Sequence, residues 1–151
     1  NNEMDDFAIH AGAGNVYGLV GNEANALKAG KRPLSSMAPT IVLRQNRPEL
    51  VVGAAGGPRI ISATLQTILN VIDFHMPIAA AVAAPRIHHQ WLPERLNVEF
   101  RIDDEAKKGL EKRGHTLRHQ TELGVVQAIL QNGAGSSGAA DLRKTDRVRT
   151  E

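Results

Sequence analysis

Two pairs of polar residues have the spacing of a binding site for a charged small molecule. Glu3 and Asp6 are carboxylates three positions apart, which can accept charge-assisted hydrogen bonds from a substrate ammonium group. A solvated charged loop has the same composition, so both interpretations stay open. Ser35 and Ser36 are adjacent hydroxyls in a proline-flanked segment, which suits anchoring of a carboxylate. An ordinary turn is the alternative there.

Gly56 and Gly57 lie between a predicted strand and a predicted helix. Glycines allow the backbone to approach a ligand closely, and a helix N-terminus directs N–H groups and partial positive charge towards it. This arrangement would stabilise an oxyanion during acyl transfer, and it would serve a phosphate equally well. A purely structural turn is the third possibility. The segment lacks the lysine of a P-loop and the spacing of a dinucleotide fingerprint, which argues against nucleotide binding.

The histidines do not form a convincing metal site. His88 and His89 are adjacent, so they point in different directions on a helix or a strand. His115 and His119 are four apart, but a strand places them poorly for chelation. We therefore predict no metal and no cofactor, and we expect packing and hydrogen bonding for His88, His89 and Trp91.

The composition fits one aliphatic domain. The chain has 151 residues, of which 42% are hydrophobic and only 3% aromatic. A formal charge of +2 argues for neither nucleic acid nor an anionic membrane as a partner, and no apolar run reaches the length of a membrane span. The absence of cysteine excludes disulfides and thiolate metal sites.

Apolar periodicity predicts the element order β-β-α-α-β-α-β-β, a layered α+β domain with antiparallel pairing. Helices are expected from Pro58, from residues 77 to 84, and from the N-cap Asp103 to a stop at Gly114. The last twenty residues, rich in Gly, Ser and Ala and then basic, are predicted to form a loose tail. The predicted strands are residues 40–44, 49–53, 96–100, 115–119 and 125–130.

Several sequence blocks, taken in order, resemble the small subunit of γ-glutamyltransferases. They are residues 1–7 (NNEMDDF), 15–18 (NVYG), 31–42 (KRPLSSMAPTIV), 53–60 (GAAGGPRI) and 84–91 (APRIHHQW). Residues 138–143 (GAADLR) resemble the closing block of that family, with Leu142 in place of its proline. The resemblance defines a partial small-subunit domain over residues 1–143, followed by a basic tail at 144–151.

The resemblance implies an N-terminal-nucleophile hydrolase, an αββα sandwich that is incomplete in this chain. Members of the family cleave their own precursor, and an N-terminal threonine then attacks the γ-glutamyl amide of glutathione or its conjugates. Water or an amino acid or peptide acceptor releases the glutamyl group. The large subunit of the same precursor is the implied protein partner, and a periplasmic or extracellular location is expected from the family.

Position by position, the resemblance assigns roles that agree with the chemistry above. Glu3 and Asp6 match positions that hold the α-amino group of the donor, and Ser35 and Ser36 match positions that hold its α-carboxylate. Gly56 and Gly57 match the oxyanion hole. Tyr17 matches a loop that covers the pocket in bacterial members.

The nucleophilic threonine of the family matches no position of this chain, because it lies well before the block that begins at Asn1. We therefore expect a piece of a longer enzyme that has no turnover by itself. Two alternatives stay open. One is a related acylase acting on another amide. The other is a non-catalytic binding module that self-associates through exposed sheet edges.

Overall fold

The computed structural model of the protein describes residues 3–133 and 135–144. Two short 3-10 helices, Glu3–Asp6 and Glu23–Asn25, lie in the irregular first part of the chain. The helices that follow are α1 (Arg59–Ile72), α2 (Ile78–Ala83) and α3 (Asp104–Lys112). The strands are β1 (Thr40–Arg44), β2 (Arg47–Ala55), β3 (Ile87–His88), β4 (Leu96–Glu99), β5 (Leu117–Gln120), β6 (Val125–Asn132) and β7 (Gly135–Ala140).

A four-stranded antiparallel sheet in the order β1-β2-β6-β7 forms the centre of the fold. The β1–β2 turn is shorter than predicted, because Gln45 and Asn46 both take positive φ (+49° and +64°) and close a two-residue hairpin. The second strand therefore begins at Arg47 rather than at residue 49.

Helices α1 and α2 cover one face of this sheet. Alternate residues of β2 and β6 point towards the helices, so that Leu50, Val52 and Val126 are almost fully buried. The residues between them point the other way. On that opposite face Ile41 is 61% and Leu43 57% exposed, and Ile129 is also solvent-accessible.

A second, three-stranded sheet has the order β3-β4-β5. Its β4–β5 pair is parallel, which corrects the expectation of antiparallel pairing throughout. The reason is the intervening helix α3, which carries the chain back so that β5 runs in the same direction as β4. As predicted, Asp103 caps this helix, with its carboxylate accepting a hydrogen bond from the Ala106 N–H at 3.0 Å.

The prediction of a loose tail after β6 is wrong for residues 135–140. They form β7, which pairs with β6 from Gly135 opposite Asn132 to Ala140 opposite Gln127. Side chains this small carry no strand signal, but the open edge of β6 supplies backbone partners whatever the side chains are. The predicted basic tail falls largely on residues 145–151, which lie outside the described residues.

Candidate active site

A cavity of about 440 Å³ lies where the irregular N-terminal segment meets the beginning of α1. Its wall combines residues of that segment, of the loop before β1, of the first turn of α1 and of the chain after β3. Asp6, Ser35 and Ser36 all line it, so three of the predicted substrate-binding residues share one cavity. The volume is that of a site for a small molecule.

Two carboxylates line the cavity from the first 3-10 helix, Asp5 and Asp6. One oxygen of Asp5 is buried and has no hydrogen-bond partner among the described residues. A buried acceptor without a partner is costly, so a donor such as an ammonium group in the cavity would stabilise it. The spacing argument did not single out Asp5. The side chain of Glu3 lies outside what the structure describes, so its role stays a prediction.

The serine pair lies on the other side of the same cavity. The Ser35 hydroxyl accepts a hydrogen bond from the Met37 N–H at 3.2 Å, which orients it within a local turn. Its own proton stays available for donation to a ligand. Ser36 is half-buried. The two interpretations of the pair, a ligand anchor and an ordinary turn, are therefore compatible, since the segment is a turn and both serines line the cavity.

Asn25 joins the two sides of the cavity, and the sequence contained no signal for it. Its side-chain amide donates to the Asp6 carbonyl at 2.6 Å and accepts from the Leu34 N–H at 3.0 Å. Its own carbonyl accepts from the Ala8 N–H at 3.0 Å. The asparagine is buried. It thereby sets the distance between the carboxylate segment and the serine segment.

Asn25→Leu is expected to lower the free energy of unfolding by about 2–3 kcal/mol, because two backbone groups lose their partners in a buried setting. Urea denaturation followed by circular dichroism measures the change. Asn22→Leu is the matched control, since Asn22 is exposed and its side chain caps nothing at the second 3-10 helix. Equal stability of the two variants would contradict the structural role of Asn25.

Gly56 and Gly57 form the tight turn between β2 and α1, with φ of +134° and +59°. Their carbonyls accept hydrogen bonds from the first turn of α1, that of Gly56 from the Arg59 N–H at 3.3 Å and that of Gly57 from the Ile60 N–H at 3.0 Å. The turn lies next to the cavity, because Pro58, the residue that follows it, is part of the cavity wall. A Cβ atom on Gly56 would lie only 3.0 Å from the Gly124 Cα.

Tyr17 lies directly over this turn. A Cβ atom on Gly57 would overlap with the Tyr17 ring, so only glycine allows the ring to pack there. Residues 11–21, called the covering loop below, hold their shape through Asn15, whose side chain accepts hydrogen bonds from the Tyr17 and Leu19 N–H groups at 3.0 Å each. The structure therefore brings the predicted loop residue to the predicted glycine pair.

Four buried charged side chains form a network behind the glycine turn. Arg86 pairs with Asp141 at 2.8 Å, and Arg143 pairs with Asp141 at 2.9 Å and with Glu99 at 2.6 Å. Burial opposes ionisation of Asp141, but hydrogen bonds from Val126 and Arg143 and the charge of Arg86 outweigh it and lower its pKa. Asp141 is therefore held in its charged form within the fold.

The same network holds the backbone that supports the glycine turn. The Arg86 guanidinium donates to the Gly124 carbonyl at 2.9 Å, while Glu99 accepts from the Leu123 N–H at 2.8 Å. Gly124 in turn packs against Gly56. Sequence reasoning missed this network, because the Arg86–Asp141 and Arg143–Glu99 pairs each join residues that are far apart in the chain.

The histidine predictions have a mixed outcome. His88 is buried and hydrogen-bonded on both ring nitrogens, as predicted. His89 accepts from the Trp91 N–H at 3.1 Å and lies edge-on to His115. The expectation that Trp91 packs is wrong, because the side chain is 73% exposed in a loop where Trp91 has a positive φ. Among the described residues, no three side chains of the metal-binding types come together.

Burial lowers the pKa of His88 below its ordinary value of 6.5, and the charges of Arg59 and His89 act in the same direction against the opposing bond to Gln90. Below about pH 6.5 the unfolded chain therefore binds a proton that the folded chain does not, and stability falls as the pH decreases towards the lower folded pKa. His88→Gln is expected to remove that part of the pH dependence. Urea midpoints at pH 7.5 and 5.5 measure it.

The control for this pH dependence is His75→Asn, because His75 is exposed and its positive φ is one that asparagine tolerates. The control should keep the wild-type difference between the two midpoints. If His88→Gln retains the full difference as well, burial of the neutral imidazole is not its source.

No helix in the described part of the chain has both the length and the apolar character that a membrane crossing requires. The sequence profile of the family described as Gamma-glutamyltranspeptidase matches residues 1–150.

Several bacterial relatives of this chain are named glutathione hydrolase proenzyme. The glutathione hydrolase proenzyme of Escherichia coli (strain K12) is 46% identical over 147 residues, which cover 97% of this chain and 25% of that protein. The chain spans about a quarter of the length of the curated proenzymes it matches first. Scoloptoxin SSD20 of Scolopendra dehaani is 38% identical over 142 residues, which cover 93% of this chain and 72% of the relative.

Solved structures agree with the sequence comparison. A γ-glutamyltranspeptidase variant from Helicobacter pylori superposes with a TM-score of 0.88 at 52% identity, covering 95% of this chain and 80% of that one. The Pseudomonas nitroreducens γ-glutamyltranspeptidase complexed with L-DON gives 0.87 at 41% identity, covering 100% and 80%. The predicted α+β, N-terminal-nucleophile hydrolase class is thereby confirmed. The chain belongs to the γ-glutamyltranspeptidase family.

Proposed function

We propose that this chain supplies the donor-binding and oxyanion-stabilising part of a γ-glutamyltransferase. The reaction is cleavage of the γ-glutamyl amide of glutathione and its conjugates through an acyl-enzyme, with transfer of the glutamyl group to water or to an amino acid or peptide. The observation that carries the proposal is the cavity that Asp6, Ser35 and Ser36 line together, beside the glycine turn.

The donor has a free α-amino acid end, and the two sides of the cavity complement it. Asp6, together with Asp5 and with Glu3 as the resemblance implies, provides acceptors for the ammonium group. Ser35 and Ser36 provide hydroxyl donors for the carboxylate. An acylase for an apolar acyl group would gain nothing from this combination of charges, which favours the amino acid donor.

Gly56 and Gly57 provide the oxyanion hole in this proposal. Negative charge develops on the carbonyl oxygen when the amide is attacked, and backbone N–H groups aimed at that oxygen stabilise it most when they are already in place. The rigid turn, its contact with Gly124 and the adjoining helix start support this role. Tyr17 over the turn would limit access of water to the acyl-enzyme.

The nucleophile is assigned to a part of the precursor outside residues 1–151. The residues that line the cavity include no threonine in the described part of the chain. Thr67, for example, is buried in α1 and donates its hydroxyl to the Ala63 carbonyl at 2.9 Å. A threonine held this way has neither access nor a neighbouring base.

The exposed apolar sheet face supports the large subunit and the remainder of the precursor as the protein partner. Ile41, Leu43, Val51 and Ile129 form a contiguous surface on the side of the sheet that α1 and α2 leave uncovered. A second sheet packed there would complete an αββα sandwich and bury this surface.

The test is a chimera in which this chain replaces the matching segment of the Escherichia coli glutathione hydrolase proenzyme. We expect the chimera to release glutamate from glutathione and the isolated 151-residue chain to release none. Asp6→Asn in the chimera should raise KM for glutathione about 10- to 100-fold, because a charge-assisted hydrogen bond is worth about 1.5–3 kcal/mol.

The outcomes separate the candidate functions. A soluble, processed chimera that leaves glutathione intact would overturn the proposal. An unchanged KM in the Asp6→Asn chimera would favour an acylase acting on another amide. Light scattering on the isolated chain tests the non-catalytic alternative, because a monomer that binds no glutamate speaks against a self-associating binding module.

A further inference from the structure

A chain of side-chain hydrogen bonds connects α1 to the covering loop. The Ser62 hydroxyl lies 2.8 Å from His88 Nδ1, and His88 Nε2 lies 3.0 Å from Gln90 Oε1. The Gln90 amide then donates to the Tyr17 carbonyl at 2.8 Å. These contacts cross from the helix that begins at the glycine turn to the loop that lies over it.

The last link determines the direction of every bond in the chain. The Gln90 Nε2 donates to two carbonyls, those of Tyr17 and Leu92 at 2.8 and 3.1 Å, so its Oε1 must be the acceptor from His88. His88 therefore carries its proton on Nε2, and its Nδ1 accepts from Ser62 when the ring is neutral. Burial, which lowers the pKa of His88, supports the neutral form.

Hydrogen bonds hold the backbone at His88 from two sides. The Gln66 side chain in α1 both donates to the Ile87 carbonyl at 2.8 Å and accepts from the Ile87 N–H at 3.0 Å, which ties β3 to the helix. On the other side Asn97 donates to the His88 carbonyl at 3.3 Å. The imidazole is thus held as a donor to Gln90. Gln90 in turn donates to the covering loop.

We propose that Gln90, oriented by His88, is a positioning residue that holds the Tyr17 backbone so that the Tyr17 ring stays over Gly57, beside the donor cavity. The residue next to Tyr17 supports this assignment, since a Cβ atom on Gly18 would lie 3.6 Å from Pro93 in the loop after β3. The covering loop therefore packs against the loop after β3. The role in donor binding depends on the proposed function, whereas the placement of Tyr17 does not.

The first experiment measures the placement of Tyr17 without any enzymatic activity. Tyr17 is the only tyrosine of the chain, so 3-fluorotyrosine labelling gives one ¹⁹F resonance that reports its environment. We expect Gln90→Met to move this resonance towards that of free fluorotyrosine while the circular dichroism spectrum stays unchanged. Gln127→Met, at an exposed position of β6, is the matched control and should leave the resonance in place. An unmoved resonance in Gln90→Met would overturn the proposal.

The second experiment uses two replacements of His88 in the chimera. Glutamine mimics the Nε2 donor and keeps the bond to Gln90, whereas asparagine mimics only the Nδ1 position and loses it. We expect His88→Asn and Gln90→Met to raise KM for glutathione about five-fold with a smaller change in kcat, the effect of losing one ordinary hydrogen bond. The KM of His88→Gln for glutathione should stay within about two-fold of the wild-type value.

The two experiments separate the proposal from the function on which it rests. If the chimera is inactive but the resonance moves only in Gln90→Met and His88→Asn, the placement of Tyr17 stands and the proposed function fails. Equal effects of His88→Gln and His88→Asn on KM would show a merely structural histidine. If Gln90→Met moves the resonance but leaves KM unchanged, the covering loop has no role in donor binding.

Discussion

Asp141→Asn is expected to lower the free energy of unfolding by about 3–5 kcal/mol, a large share of the stability of a domain of this size. Its carboxylate compensates two buried guanidinium groups, those of Arg86 and Arg143, and also accepts from the Val126 N–H at 3.0 Å. An amide has one acceptor oxygen, so at least one guanidinium would face an N–H₂ group. Urea denaturation of the isolated chain at pH 7.5 measures the loss.

The matched control for Asp141→Asn is Asp104→Asn. Asp104 also pairs with a cation, Lys107 at 2.9 Å, but its side chain is 85% exposed and water replaces the lost partner. We expect only a small change there. A shift of the urea midpoint no larger than that of Asp104→Asn would show that the buried network contributes little to the fold.

Gly57→Ala is expected to lower kcat/KM of the chimera for glutathione about 100-fold or more, the effect of disturbing an oxyanion hole. Two causes act together. The φ of +59° is unfavourable for alanine, and the new methyl group would overlap with the Tyr17 ring. The turn and the covering loop cannot both keep their positions. Initial rates of glutamate release at low glutathione concentration measure the change.

Gly30→Ala separates these two causes. Gly30 also has a positive φ of +73°, but a Cβ atom there meets nothing within 4 Å. It therefore carries a comparable backbone cost without the overlap, and it lies away from the cavity. We expect nearly full activity. If Gly57→Ala and Gly30→Ala have equal kcat/KM, the packing of Tyr17 on Gly57 has no part in catalysis.

Gly124 connects the buried charged network that contains Asp141 to the glycine turn that contains Gly57. The network holds the Gly124 carbonyl through Arg86, and Gly124 packs against Gly56. Loosening the network is therefore expected to reach the glycine turn as well as the global stability.

Much of the fold was predictable from the sequence where short-range geometry decides it. The start of α3 follows from the side chain of Asp103, and its end follows from Gly114 with a φ of +92°. The break between β2 and α1 follows from a glycine pair and Pro58. Each of these depends on residues within one turn of one another.

The candidate site was predictable only in part. The resemblance identified Asp6, Ser35, Ser36, Gly56 and Gly57, and the structure places all of them at or beside one cavity. Asn25, which links the two sides of that cavity, was missed because an asparagine in a loop has many possible partners. Gln90 and His88 were missed as a connection to Tyr17, since the bond spans 73 positions.

By itself, then, the sequence determined the family, the helix ends, the first hairpin and the residue types available for binding a free amino acid. Only the tertiary structure decided that residues 135–140 are a strand, that Glu99 and Asp141 are buried with their arginines, and which face of the sheet stays open. The physical reason is the same in each case. Dihedral preferences and caps act between neighbours in the chain, whereas edge pairing, charge burial and sheet coverage depend on segments that only folding brings together.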